Sequence, residues 1–600
     1  MSDARQTIQQ RVADLRAAMR RNQFDAWIIP SADPHLSEYL PDYWQGRKWA
    51  SGFTGSVGTL VVTDDFAGVW VDGRYWEQAE AQLDGTGVKL MKLLSGQAQP
   101  HVDWLAANLK QGARAGADGD VLSLSSARAT ASTLQTSGIK LDTDKDLLSE
   151  IWSDRPTLPQ AAVYEHLAPY AAVTRATKLA QVRDAMKAAG AQWHFVSTLD
   201  DLAWIFNLRG ADVDYNPVFL AHALIGADKV TLFIDARKVT PELKATLAKD
   251  GVDIAAYDAA TAALAALPAG STALIDPART TLGLINAIPT SVRLIEKLNP
   301  SQLFKSRKTG DEIAHVREAM AQDGAALCEF FSWLDSALNK EHITELDIDT
   351  RITAARARRP GFVSASFGTI AGFNQNGALP HYHATPEAHS VIKGDGLLLI
   401  DSGGQYTGGT TDITRVVPVG QITADHRRDF TIVLKGVIAL SRARFPVAIR
   451  AAMIDAIARA PMWAEGVDYN HGTGHGVGYF LNVHEGPQSI GYFREAGPDT
   501  AMQQGMITSI EPGVYRPGRW GIRIENLVVN QPAPTTEFGD FLEFETLTLC
   551  PIDTRCVERS LLTQPEADWL NRYHATVRER LQPLVSGDAL QWLLARTEAI

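Results

Sequence analysis

Apolar residues recur at helical spacing between residues 8 and 23, with Val12, Leu15 and Met19 on one stripe, and this predicts an amphipathic helix. The apolar run A-W-I-I-P from Ala26 predicts a short strand. The stretch S-V-G-T-L-V-V-T-D-D-F-A-G-V-W-V-D-G-R-Y-W predicts two strands joined by a turn at Asp64-Asp65. Helices and strands alternating in this order predict an α/β domain.

The pattern then returns. V-A-D-L-R-A-A-M-R (Val12–Arg20) is echoed by L-A-Q-V-R-D-A-M-K (Leu179–Lys187). V-W-V-D-G-R (Val69–Arg74) is echoed by L-F-I-D-A-R (Leu232–Arg237) at nearly the same separation, which is how a duplicated unit looks. A proline-dense linker, residues 152 to 172, separates the copies. A second boundary falls at N-P-S-Q-L-F-K-S-R-K-T-G (Asn299–Gly310). A long helix is predicted from about Asp311, with Ile313, Val316, Met320, Leu327, Phe331 and Leu334 near helical spacing. The expected domains are 1–155, its duplicate 156–308, and 309–600 with a C-terminal extension from about 545. In that extension Leu570, Tyr573, Val577 and Leu581 share one side of a predicted helix.

With 600 residues the chain is too long for one core, in line with several domains. The net charge of −12 argues against nucleic acid or an anionic membrane as partner, since both want a basic face. No apolar run reaches the roughly 18 residues that span a bilayer. The polar start M-S-D-A-R-Q-T-I-Q-Q lacks the apolar core of a signal peptide, and Cys328, Cys550 and Cys556 form no disulfide framework. A cytoplasmic location is expected.

The candidate chemistry lies after residue 380. H-G-T-G-H-G-V-G-Y-F-L-N-V-H-E-G-P (His471–Pro487) crowds glycine around His471 and His475, and His484 follows. Imidazoles cluster where metal is bound or protons move, and glycine lets backbone approach a ligand. P-H-Y-H carries His381. Asp401 ends the apolar run G-L-L-L-I-D-S-G-G, and Asp412 sits in T-T-D-I-T-R. Glu511 ends the apolar run in S-I-E-P-G-V-Y, and Glu525 follows Ile522 and Ile524 in G-I-R-I-E-N. One such carboxylate, Asp401 alone, reads more simply as a satisfied turn or cap. Four in one domain, joined by a histidine, are costly unless they hold cations. That set suits two divalent ions with bridging carboxylates, the clamp used in metal-assisted hydrolysis, where a bridging water ionises near neutral pH. There is no G-x-S-x-G and no phosphate-binding glycine motif. His484-Glu485 does not begin H-E-x-x-H, because position 488 is Gln.

Asp401, Asp412, His475, Glu511 and Glu525, with the motifs around them, resemble the ligand set of the dinuclear pita-bread metallopeptidases, among them methionine aminopeptidase, prolidase and aminopeptidase P. Over essentially the whole chain the resemblance is to the long, three-domain cytosolic aminopeptidases P. It implies an α/β (α+β) fold: two creatinase-like N-terminal α/β domains followed by a pita-bread catalytic domain. It also implies two divalent metal ions, manganese(II) with cobalt(II) or zinc(II) as alternatives, and a homodimer built through the catalytic domain. The implied reaction releases the N-terminal residue of peptides with proline second, by a metal-bridging hydroxide. In this resemblance the five residues named above ligate metal, and Glu511 also takes the proton of the attacking water. His381, His471 and His484 line the substrate site in an oxyanion-type role, and Tyr515 and Arg523 support them. The alternatives on the same fold are a prolidase and a non-catalytic peptide binder. His383 and His389 are expected on a surface loop, and Arg74 and Asp72 in a local ion pair. The C-terminal helix packs on its own domain or serves the dimer. Thr546 stands where the family pattern favours proline, which leaves the packing of that strand open.

Overall fold

A computed structural model describes residues 2–94, 98–494 and 497–600. The chain divides into two compact units, residues 1–167 with 173–301, and residues 168–172 with 302–600.

The first unit contains two six-stranded sheets of the same design. Helix α1 (Ser2–Arg21) buries Ile8, Val12, Leu15, Ala18 and Met19. It starts earlier than the hydrophobic stripe predicts, because the residues before Ile8 carry no periodic apolar signal. The first sheet is built from β1 (Ala26–Pro30), β2 (Thr59–Thr63), β3 (Ala67–Val71), β4 (Lys89–Lys92), β5 (Arg114–Ala117) and β6 (Lys140–Asp142), in the order β4-β3-β2-β1-β5-β6. The second has β7 (Trp193–Val196), β8 (Ala221–Gly226), β9 (Val230–Ile234), β10 (Val252–Ala255), β11 (Thr272–Ile275) and β12 (Arg293–Glu296), in the order β10-β9-β8-β7-β11-β12. In both, the two central pairings toward the hairpin side are antiparallel and the outer ones parallel. Identical order and direction give the sequence repeat a physical form: helix α2 (Arg175–Ala189) leads the second copy as α1 leads the first. Arg74 donates to Asp72 from Nε (2.9 Å) and Nη2 (2.8 Å), so this pair is a local strand-end contact.

In the second unit, α3 (Gly310–Ala337) opens with a capping box between Thr309 and Glu312, two orphan donors satisfied reciprocally. Helix α4 (Glu345–Ala357) follows, capped by Thr344 and Asp347. A three-stranded antiparallel sheet, β13 (Ile370–Phe373), β14 (Gly396–Ser402) and β15 (Ile413–Val419), runs with β14 in the centre. A second sheet contains β16 (Arg444–Pro446), β19 (Ile507–Ile510), β22 (Asn526–Pro532) and β23 (Phe541–Thr546). Between these lie the short pair β17 (Gly474–His475) and β18 (Ser489–Ile490), and the hairpin β20 (Gly513–Arg516) with β21 (Trp520–Arg523). Thr546 pairs with Val528 in regular register, so its departure from the family pattern leaves the strand intact. Residues 168–172, the end of the expected linker, pack on this unit: the Tyr479 hydroxyl donates to the Tyr170 carbonyl at 3.0 Å.

The C-terminal helices α5 (Gln564–Leu581) and α6 (Gly587–Arg596) close the core. Leu570, Val577 and Leu581 are wholly buried, and Tyr573 nearly so, within their own unit. Tyr573 also carries a polar role. Arg415 of β15 is buried and donates to the carbonyls of Thr414 (2.9 Å), Glu525 (2.7 Å), Cys550 (2.9 Å) and Pro551 (3.1 Å), to Asn526 Oδ1 (2.7 Å) and to the Tyr573 hydroxyl (2.9 Å). One guanidinium thus ties the C-terminal extension to the backbone at Glu525. Replacing it strands several buried acceptors. Arg415→Leu should destabilise the protein by about 3–5 kcal/mol, and Tyr573→Phe by about 0.5–1.5 kcal/mol. Thermal unfolding of the two variants beside the parent checks this; equal melting temperatures for Arg415→Leu and parent would refute it.

Candidate metal centre

Two strand ends supply the carboxylates. In the three-stranded sheet Asp401 sits opposite Thr414, and Asp412 precedes Ile413, the partner of Ser402. In the other sheet Ile510 is opposite Asn526, which sets Glu511 and Glu525 side by side just beyond the paired residues. Asp401, Asp412 and Glu525 are buried and Glu511 is partly so.

His475 joins them. Its Nε2 lies 3.5 Å from Asp412 Oδ2 and 3.4 Å from Glu511 Oε1. One ligand atom from each of Asp412, His475 and Glu525 falls within 4.8 Å of the others. The glycines around His475 are there because backbone passes at contact distance. A Cβ on Gly474 would lie 1.9 Å from the Ser509 carbonyl oxygen, and one on Gly476 would lie 2.0 Å from that of Glu485. The Glu485 amide donates to the Gly476 carbonyl (2.8 Å), closing the loop so that the His475 and His484 rings meet edge to face at 4.3 Å. Behind that loop Lys308 Nζ donates to Glu485 Oε1 and to the Val477 carbonyl, both at 2.6 Å, in a buried ion pair.

Arg523 is the cation of the cluster. Its Nη2 donates to Asp401 Oδ2 (2.5 Å), its Nη1 to the Tyr515 hydroxyl (2.7 Å) and its Nε to Thr414 Oγ1 (3.1 Å). The Tyr515 hydroxyl lies 2.8 Å from His471 Nε2, while His471 Nδ1 faces the Gly472 carbonyl at 2.8 Å. Both ring nitrogens of His471 are therefore engaged, and a bound peptide would have to displace one of them. His471 Nδ1 is also 3.9 Å from Glu511 Oε2. His381 is half-buried, and the carbonyl of the adjacent Pro380 accepts from Arg523 Nη2 at 3.4 Å, which brings P-H-Y-H to the same cluster. His383 and His389 are exposed.

Two hydroxyls complete the set and had only a weak signal in the sequence. Thr414 donates to Glu525 Oε2 (2.8 Å), and Ser509 donates to Glu511 Oε1 (3.2 Å) while accepting from the His475 amide (2.9 Å). Each stands two residues from a carboxylate of the cluster, on the same side of an extended strand. That spacing was the available clue.

The electrostatics follow from burial. Asp412 is pushed well above the usual carboxylate range by burial and then by the charges of Asp401 and Glu511. Glu525 is raised in the same way, by burial and then by Asp412, Glu511 and Asp401. Glu511 rises to about 7, through burial against the pull of Arg523. Tyr515 is pushed up to about 12 by burial. Asp401 Oδ1 is buried and accepts no hydrogen bond. One arginine does not neutralise four carboxylates, so the site must take up protons or cations. Its oxygen-rich donor set with one imidazole suits hard or borderline divalent ions.

Residues 314–531 match the model of metallopeptidase family M24, and residues 540–600 that of the C-terminal region of peptidase M24. Residues 11–148 and 154–312 each match a creatinase/prolidase N-terminal domain. The chain is 38% identical to Aminopeptidase P2 of Arabidopsis thaliana over 613 residues, covering 96% of this chain and 86% of that protein. It is equally, 38%, identical to a probable Xaa-Pro aminopeptidase P of Coprinopsis cinerea over 98% of both. The crystal structure of X-prolyl aminopeptidase from Caenorhabditis elegans, a cytosolic enzyme with a di-nuclear active site, is similar with a TM-score of 0.94 at 32% identity, over 99% of this chain and 100% of that one. A carboxylate–imidazole cluster that follows two creatinase-type domains along the chain, with relatives alike from end to end, places the chain in the aminopeptidase P branch of metallopeptidase family M24.

Proposed function

We propose that the chain is a metal-dependent Xaa-Pro aminopeptidase, removing the N-terminal residue from peptides with proline second. The observation that carries this is the buried set Asp401, Asp412, His475, Glu511 and Glu525 with a single arginine among them. These five residues would hold two divalent ions, which we assign as manganese(II), with cobalt(II) and zinc(II) suited to the same donors. Ions bound there supply Lewis acidity to the scissile carbonyl and lower the pKa of the attacking water. The full-length likeness to X-prolyl and Xaa-Pro aminopeptidases supports the substrate class.

The protein's own groups divide the remaining work. Glu511 is assigned as the base that takes the water's proton, from its place beside His475, whose Nε2 lies 3.4 Å from Glu511 Oε1. Ser509 orients that carboxylate from Oε1. Arg523 holds Asp401 by one oxygen and leaves Oδ1 for a ligand. His484, packed edge-on against His475, and His381 are assigned to the peptide, donating to the carbonyl as charge builds on it. His471 is assigned the same role, its Nε2 held at the Tyr515 hydroxyl to which Arg523 donates. An Xaa–Pro bond has no N–H, so recognition must read ring shape.

The domain division 1–155, 156–308 and 309–600 and a cytoplasmic location belong to the same reading. So does a homodimer through the catalytic domain. Met453 (66% exposed) and Ile457 lie one helical turn apart, with Tyr492 (56%) and Phe493 also exposed. The Tyr492 amide donates to Asp455 at 2.8 Å, and its ring lies 4.9 Å from the Arg459 guanidinium. Light scattering should report twice the chain mass at micromolar concentration; a monomer there removes the dimer.

The function is tested with Arg-Pro-Pro and metal-stripped protein. Free Arg should appear only after manganese(II) is restored, and His475→Ala should reduce the rate at least about 100-fold. Hydrolysis of Arg-Pro but not of Arg-Pro-Pro would make the chain a prolidase, and hydrolysis of neither would make it a binder.

The pH dependence of metal binding has a fixed sign. Carboxyls raised in the fold, as Asp412, Glu511 and Glu525 are, favour the metal-free fold at low pH, and that contribution is lost as pH rises through their folded pKa values. Metal must displace those protons, so its binding strengthens with pH. The rise in melting temperature on adding manganese(II) to stripped protein should be larger at pH 8 than at pH 6. An equal rise at both would contradict the protonated site.

A further inference from the structure

Away from the metal cluster the second unit buries another carboxylate, Glu345, at the first position of α4. Its hydrogen bonds come from neutral groups. Oε1 accepts from the Phe373 amide (2.7 Å) and from Asn376 Nδ2 (3.0 Å). Oε2 accepts from Asn376 Nδ2 (3.0 Å), the Tyr382 hydroxyl (2.8 Å) and the Ser390 amide (2.6 Å). The Glu345 amide in turn donates to the Ser390 carbonyl at 3.1 Å. Burying an anion this way is costly unless every oxygen is filled, and the first turn of a helix is where negative charge is best tolerated.

The donors are not scattered. Phe373 ends β13, Asn376 lies in the turn after it, Tyr382 belongs to P-H-Y-H, and Ser390 closes the following loop. One carboxylate therefore fastens both ends and the middle of the segment 373–390, which has little regular structure of its own. Asn376 tightens the same knot, its amide also reaching the Tyr382 hydroxyl (3.1 Å) and Ser390 Oγ (2.9 Å). On the other side of Tyr382 the chain meets the site, where the Pro380 carbonyl accepts from Arg523. His381 stands between these two anchors.

We propose that Glu345 is a positioning residue for His381, acting through the Tyr382 hydroxyl to hold P-H-Y-H against the peptide site. The proposal rests on the reading of His381 as a substrate-facing group. A histidine on an untethered segment would spend its binding on ordering that segment.

The test is a double-mutant cycle on Arg-Pro-Pro with the manganese-loaded full chain. Glu345→Gln keeps size but turns one acceptor into a donor facing donors. It should lower kcat/KM about 10–100-fold, with metal content unchanged and the loss on the same parameter, kcat or KM, as in His381→Ala. Tyr382→Phe, which removes one hydroxyl and carries the test if Glu345→Gln fails to fold, should lower it about 3–10-fold. Added to His381→Ala, either change should cost no more than about a further twofold. Losses that multiply would overturn the proposal, since Glu345 would then act elsewhere. So would full activity of Glu345→Gln and Tyr382→Phe beside an impaired His381→Ala. Full activity of His381→Ala would remove both this inference and the role given to His381, while leaving the peptidase reading to the wild-type assay.

Discussion

Buried negative charge is the constraint on which the catalytic unit is organised. Asp401, Asp412, Glu511 and Glu525 converge from the ends of two sheets, and Arg523, with His484 nearby, opposes them. Apolar strands on either side, with Leu398, Leu399, Ile400, Ile510, Ile522 and Ile524 almost wholly buried, exclude the water that would otherwise screen those charges. Every polar feature nearby can be read as a response. Thr414 and Ser509 each offer a hydroxyl to a carboxylate, Arg523 spans Asp401 and Tyr515, and burial with the remaining like charge raises the Asp412 and Glu525 carboxyls well above the usual range. A set of side chains in that state is avid for divalent cations, because each ion repays several desolvated charges at once.

Holding like charges together needs a frame that will not relax, and the frame is distributed through the fold. Arg415, buried in the same strand as Thr414, gathers the carbonyl of Glu525 and the hydroxyl of Tyr573, so α5 braces that strand although it lies far along the chain. On the imidazole side the bracing is backbone to backbone. Gly474 and Gly476 admit carbonyl oxygens where any side chain would collide, and Lys308 pins the return of the loop through Glu485. Both devices hold first-layer groups by their main chain, which leaves the side chains free to meet ligands.

What the sequence reveals and what it hides divide along the same line. Periodicity identified the duplicated α/β units, since α1 and α2 bury one stripe each and the strand ends repeat as D-x-R. Carboxylates ending apolar runs marked Asp401 and Glu511, because such placement is visible within a few residues. The braces were hidden. Arg415 and Tyr573 are 158 residues apart, and Arg523 and Asp401 are 122 apart, so no local pattern joins them. Glu345 reads in the sequence as an ordinary acidic residue at a helix start, and only its four donors from the 373–390 segment distinguish it. The same limit applies to Ala168–Ala172. Composition reads that stretch as linker, whereas Tyr170 packs against His315 with ring centroids 5.2 Å apart.

Glu345 and Asp401 show how a protein separates two uses of a buried carboxylate. Both are almost fully removed from solvent. Glu345 has donors on both oxygens, all of them neutral and all on one loop, so its charge is spent on geometry and nothing is left to bind a cation. Asp401 has one oxygen on Arg523 and one with no donor, so its charge is only half compensated. The distinction is in the saturation of the acceptor, not in residue type, burial or distance from the cleft. A carboxylate filled with neutral donors is a fixed point of the fold. One left half-filled beside others of its charge carries a desolvation cost that a bound cation would relieve.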